Sequence, residues 1–104
     1  MTPADRDLLE KAAKAAGYEV ARIGDDGDSL LLVGVQDPWR PHRDDGDALR
    51  LAVKLHVAID IAADNVCVWI QHFDRRFSEP CNGDVAAALR RAIVRAAAAI
   101  GETL

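Results

Sequence analysis

The chain is poor in several residue types, and each scarcity excludes something. Cysteine occurs only twice in 104 residues, at Cys67 and Cys81, too few for a disulfide framework where half of the residues are hydrophobic and a core can form without one. Both thiols are expected to be reduced and unpaired. No apolar run approaches the roughly 18 residues that a membrane span needs. The opening Met1-Thr2-Pro3-Ala4-Asp5 lacks the basic-then-apolar layout of a secretory leader, so the expectation is a cytoplasmic protein without membrane contact. Basic residues are outnumbered, 13 Lys and Arg against 17 Asp and Glu, for a formal charge of −4. A net acidic domain is a poor general ligand for nucleic acid, which is held by cations that displace phosphate counterions. Only five aromatic residues are present, Tyr18, Trp39, Trp69, Phe73 and Phe77.

The length suits one domain with one core, residues 1–104. Thr2 is a helix cap, Pro3 suits the first helical position, and Asp5 complements the positive end of the dipole. Leu8, Leu9, Ala12, Ala13 and Ala16 follow at helical spacing, and Gly17 marks the stop. Tyr18–Ile23 and Leu30–Val35 read as strands. Asp26-Gly27 as a two-residue turn would pair Ile23 with Leu30 and Val20 with Val33, and the unbroken run Leu30–Val33 suggests a strand covered on both sides. Asp44, with Asp47 three residues on, predicts a capped second helix whose buried stripe is Ala48, Leu51, Ala52 and Leu55. Val57–Ile61 and Val66–Ile70 form a second hairpin. Its symmetric turn sets Ile61 against Val66 and Ile59 against Val68 on a core face, leaving Ala58, Asp60, Cys67, Trp69 and Gln71 on the opposite face. Residues 72–83 read as a loop. Val85, Leu89, Ala92, Ile93, Ala96 and Ile100 then define a long helix that Gly101 would end. The expected fold class is α+β in the order α-β-β-α-β-β-α, one four-stranded, mainly antiparallel sheet with helices mostly on one face.

Chemistry-bearing constellations are sparse. His42, His56, His72, Cys67 and Cys81 form no compact chelating pair, and no metal or cofactor is expected. Asp25-Asp26-Gly27-Asp28 lacks the alternation and closing Glu of a calcium loop and reads as turn chemistry. Cys81, before a helix and with His72 and Asp74 or Asp84 nearby in sequence, is the one candidate nucleophile. The remaining requirements of an active site do not converge, so the chain is read as a non-enzyme, with a small Cys-dependent enzyme as the remote alternative.

The aromatics and charges say more. Trp39 sits among prolines with Arg40, and Asp44, Asp45 and Asp47 follow. Trp69 lies on the face turned from the core, and Phe73 and Phe77 bracket two arginines. Trp, Phe and Arg in proximity are the composition of protein-binding hot spots, which makes Trp39, Arg40, Asp44, Asp45, Asp47, Trp69, Phe73 and Phe77 the candidate contact residues. The competing use of the same aromatics is a second small core beneath the loops. Arg75, Arg76, Arg90, Arg91 and Arg95 are a candidate basic patch, or a solvated helix face.

The stretch Pro38-Trp39-Arg40-Pro41 through Asp44-Asp45-Gly46-Asp47-Ala48-Leu49-Arg50-Leu51-Ala52, with the closing Ala92-Ile93-Val94-Arg95-Ala96-Ala97, resembles the NinX-like phage accessory proteins. The resemblance spans roughly residues 38–101 and implies a phage gene expressed in a bacterial host; it carries no catalytic residues with it. The leading expectation is therefore a prophage-type accessory protein that binds and modulates a host protein, an anti-defence (anti-CRISPR-like) inhibitor being one form. In that form Asp25, Asp26, Asp28, Asp44, Asp45 and Asp47 would enter a basic nucleic-acid channel of the target. The alternative is a nucleic-acid-binding accessory factor using the C-terminal arginines, with Trp69 as a stacking platform. A homodimer through a strand edge or an Ala-rich helix face is compatible with any of these.

Overall fold

A computed structural model describes residues 1–71 and 74–104 of the chain. The first helix, α1 (Pro3–Ala15), starts as its punctuation predicts. The Thr2 hydroxyl accepts from the Asp5 N–H at 3.1 Å, and the Asp5 carboxylate returns the contact to the Thr2 N–H at 3.4 Å. Leu9, Ala12, Ala13 and Ala16 are its buried positions. Next come β1 (Val20–Ile23) and β2 (Leu30–Leu32). Ile23 pairs with Leu30 as expected, but a bulge between Val20 and Arg22 moves Val20 opposite Leu32 in place of Val33. The expected cover on both sides of this run is also missing at its end, where Val33 is exposed and Gly34 turns the chain away at φ 80°.

Helix α2 (Asp45–Leu55) is capped by Asp44, whose carboxylate accepts from the Asp47 N–H at 2.8 Å. The reciprocal half of the box is absent, because Asp47 turns to the Arg40 N–H and the Arg50 guanidinium. Its buried stripe, Ala48, Leu51 and Ala52, matches the 3.6-residue period. Strands β3 (Ala58–Ile61) and β4 (Asn65–Ile70) pair in the expected register, Ile59 with Val68 and Ile61 with Val66, but Ile59 and Ile61, expected in the core, are exposed on this outer strand.

The single four-stranded sheet is corrected. The described residues form two antiparallel sheets, β1-β2 and β3-β4-β5, the latter including β5 (Arg75–Pro80) within what reads as a loop. This strand evaded the pattern for a physical reason. It is an edge strand with one apolar core residue, Phe77, beside Arg75, Arg76, Glu79 and Pro80, the composition that keeps edges from pairing further.

The last helix, α3 (Val85–Glu102), is capped by Asp84 and lies against α1, α2, β4 and β5. Ala88, Ala92, Ile93, Val94, Ala96–Ala99 and Gly101 are buried, so nearly every side of its C-terminal half meets protein. Gly101 is therefore not a stop signal: the helix runs through it, and a Cβ there would overlap the Lys11 carbonyl of α1. Two helices meet backbone to backbone at that point, which is why small residues fill this segment. Among the described residues no helix is long and apolar enough to cross a membrane.

Candidate functional site on the open face of the three-stranded sheet

The structure separates the candidate contact residues. Trp39 is 6% exposed and Phe77 7%. Trp39 exchanges both backbone hydrogen bonds with Leu30, at 2.8 and 2.9 Å, and sets its ring edge-on to Tyr18 at 5.6 Å. The proline-rich loop is held down as an extra rung beside β2, and its tryptophan closes the core there. Phe77 packs in the main core under α3. Phe73, like the candidate base His72, lies outside the described residues.

The aspartates are paired within the chain. Asp28 receives His42 at 3.2 Å and Arg43 at 3.0 Å. Burial raises its pKa, but these two partners outweigh that and hold the carboxyl below its ordinary value. Asp26 accepts from the Asp28 N–H at 3.0 Å and the Ser29 hydroxyl at 2.8 Å, which also hold it low. Asp25 pairs with Arg22, Asp45 with Arg90, and Asp47 with Arg50. Arg40 offers its backbone N–H to Asp47, with its guanidinium 3.9 Å from Asp26. A surface whose charges are already matched attracts a basic partner far less than its formal charge suggests.

The C-terminal arginines are similarly engaged. Arg90 donates to the His42 carbonyl at 3.2 Å, Arg91 to the Pro80 carbonyl at 3.3 Å, and Arg95 to Glu79 at 3.1 Å. Arg75 stands over Phe77 at 5.0 Å. These contacts fasten α3 and β5 to their neighbours.

One candidate remains available. Residues opposed across an antiparallel ladder share a side, so Ala58, Trp69 and Arg76 form one row, and Asp60, Cys67 and Ser78 the next. This side faces away from α3; its members are exposed or half-buried, and no helix is laid across it. Trp69 is half-buried beneath the Arg76 guanidinium, 4.7 Å from the ring centroid. Its indole Nε1 is shielded from solvent, yet has no hydrogen-bond partner among the described residues. A hollow of about 190 Å³ beside it is bounded by Ala58, Ile59, Asp60, Cys67, Trp69 and Arg76. An unpaired N–H donor next to a guanidinium suits a carbonyl or carboxylate acceptor supplied from outside.

Two features escaped the sequence reading. Arg76 is legible as the cover of Trp69 only once β5 exists as a strand. Leu49 and Val53, four residues apart and outside the buried stripe, are a second apolar stripe of α2 that is exposed.

Cys81 is 2% exposed, and its thiol points to the Ala62 carbonyl at 3.8 Å. A substrate would have to unpack the β3–β4 turn to reach it. Cys67 is half-buried on the open face, and both thiols are free. Among the described residues no group of three or more His, Cys, Asp or Glu side chains is arranged to hold a metal. No family model matches the chain, and comparison with curated proteins and with solved structures gave no match.

Proposed function

We propose that this protein is a small binding module, a phage-type accessory protein that docks on a host protein and modulates it through the open face of its three-stranded sheet. The observation that carries the reading is Trp69: a large amphipathic ring on an uncovered sheet face, capped by Arg76, with an indole N–H that finds no acceptor. Trp and Arg are the residues whose burial dominates protein interfaces. The resemblance to phage accessory proteins supplies the setting, a bacterial host cell and its proteins, including defence complexes. The acidic residues are set aside as the leading contact because each named aspartate already has a partner within the chain. Trp39 and Phe77 belong to the core, Phe77 on the opposite side of the same sheet.

The test is capture from a bacterial lysate with the wild type beside Trp69→Ala and Arg76→Glu, each checked for an unchanged unfolding midpoint. A specific host protein held by the wild type and released by both variants is the expected result. Equal capture by all three would move the contact elsewhere on the molecule.

A second reading has its own observation. A tryptophan and an arginine on an open antiparallel face also make a platform on which an unpaired base stacks. Nucleic-acid binding that weakens steeply with salt and disappears in Trp69→Ala would select it; no binding at low salt would remove it.

A further inference from the structure

Strand β3 is the outer strand of its sheet, so among the described residues one of its edges meets no other strand. Which backbone groups point out from that edge follows from the register. The Ala62 N–H donates to the Asn65 carbonyl at 2.9 Å, making 62 and 65 a hydrogen-bonded pair. Antiparallel ladders alternate such pairs with non-bonded ones. With Asp60 opposite Cys67 and Ala58 opposite Trp69, residues 58, 60 and 62 bond inward to β4. Ile59 and Ile61 therefore turn their N–H and C=O groups outward.

This edge lacks the usual protection. Ala58–Ile61 contains no proline, no lysine and no bulge, and its one charge, Asp60, lies on the Trp69 side. On the α3 side the helix leaves the strand uncovered. Ile59 is 36% exposed and Ile61 56%, with Leu49 at 58% and Val53 at 65% on the neighbouring stripe of α2. Between Ile59 and Leu49 runs a mostly apolar groove of about 270 Å³, walled also by Ala48, Leu89 and Ile93, with the Asp45–Arg90 ion pair along it. Large aliphatic side chains gathered around a groove differ from the scattered single ones found on any monomer.

We propose that the β3 edge pairs with β3 of a second copy about a twofold axis, joining the two three-stranded sheets into one of six strands. Charge and register together select the alignment. Only residues on the same side can oppose each other, so Ile59 meets Val57, Ile59, Ile61 or Ala63 of the second copy; pairing it with Val57 sets Ile61 against Leu55, where the chain is still helix α2. Pairing Ile59 with Ile61 sets Asp60 directly against Asp60, an unfavourable like-charge contact. Pairing Ile59 with Ala63 centres the ladder on Ile61 and runs it into the β3–β4 turn. Centring on Ile59 avoids all three, setting Ile61 against Val57 and Asp60 against Ala58. It also uses the outward N–H and C=O of both isoleucines.

The same alignment keeps the charges of the two open faces apart. Among the described residues, neither Asp60 nor Arg76 has an ion-pair partner in its own chain. Centring on Ile59 sets each Asp60 beside Ala58 of the other copy, with Arg76 two strands further in. The pairing does not depend on the reading of Trp69 given above. In a dimer the two open faces become one continuous surface carrying two copies of that residue.

Sedimentation of the wild-type chain in reductant should give twice 11.3 kDa. Hydrogen exchange should find the Ile59 and Ile61 amides protected. Ile61→Lys should weaken the dimer by at least about 30-fold, because it sets a charge against Val57 of the other copy on both sides of the axis. Ile59→Pro removes an N–H that the protomer does not use, and should give a folded monomer. Trp69→Ala should leave the mass unchanged, which separates a failed dimer from a failed contact face. A wild type that stays monomeric to high micromolar concentration overturns the proposal. So does a dimer that survives both edge variants, or protection of the two amides that appears only when a different protein is added.

Discussion

The loop around Trp39 and the sheet around Trp69 hold the chain's two tryptophans, and the fold uses them in opposite ways. Trp39 is met from every direction: its backbone pairs with Leu30, its ring meets Tyr18, and it is almost wholly buried. Trp69 stands on the middle strand of a sheet that has a helix on one side only, and its indole N–H is left without an acceptor. Surrounding charge follows the same division. Near Trp39 the acids and bases satisfy one another within the chain, whereas the Trp69 face holds Asp60 and Arg76 with no ion pair among the described residues. A region whose charges are mutually paired serves stability, even though the His42 Nδ1 in this loop, like the Trp69 Nε1, is buried without a partner among the described residues; the face whose charges lack partners is where a partner gains most.

The comparison is broken most directly by truncating each tryptophan. Trp39→Ala should cost about 3–5 kcal/mol in urea unfolding, because a large buried side chain leaves a cavity and an unfilled core. Trp69→Ala should cost about 1 kcal/mol or less and act on binding instead. Equal losses of stability would abolish the distinction.

A smaller effect is expected at the α1–α3 crossing, which supports both regions. Gly101→Ala should destabilise by about 1–3 kcal/mol through overpacking against the Lys11 carbonyl. This should outweigh the helix propensity that favours alanine over glycine by about 1 kcal/mol. A stabilised variant would mean that the helices part without cost.

The smallest effect is the pH dependence of the satisfied region. Asp26 and Asp28 are held below their ordinary pKa in the folded state. Their contribution is present above the unfolded carboxyl value near about 4, and is lost as pH falls through the lower folded values. Asp28→Asn should remove part of that acid sensitivity while costing under about 1 kcal/mol at neutral pH, as for a partly exposed ion pair. Thermal unfolding of both forms at pH 7 and pH 3 checks this; an unchanged acid response would detach Asp28 from it.

What could be read from the residues alone was local. The Thr2 and Asp44 caps, the stripes of α1 and α2, and the alternation of the second hairpin each depend on neighbours within a turn or across one tight loop. That reasoning set the β3–β4 register and placed Trp69 on the side away from the core. It also stated the two uses open to Trp39, contact or core, without choosing between them. Arg75–Pro80 gave no strand signal, because an edge strand is half polar by requirement and takes its conformation from pairing with β4.

Tertiary structure decided the remainder. Gly101 reads as a helix stop in any single-chain pattern; only the approach of α1, far away in sequence, reveals a contact glycine. The same holds for the charges: Asp45 finds Arg90 and Asp28 finds Arg43 across long separations, so acids that cluster along the chain are each met by a base in the fold. Whether Ile59 and Ile61 are core or edge depended on how far α3 reaches across the sheet. Composition and periodicity determined which segments become helices or strands and which side of each is apolar. Which apolar sides find cover, and which are left for a partner, depends on how the layers are placed, and that is a property of long-range packing that no local pattern contains.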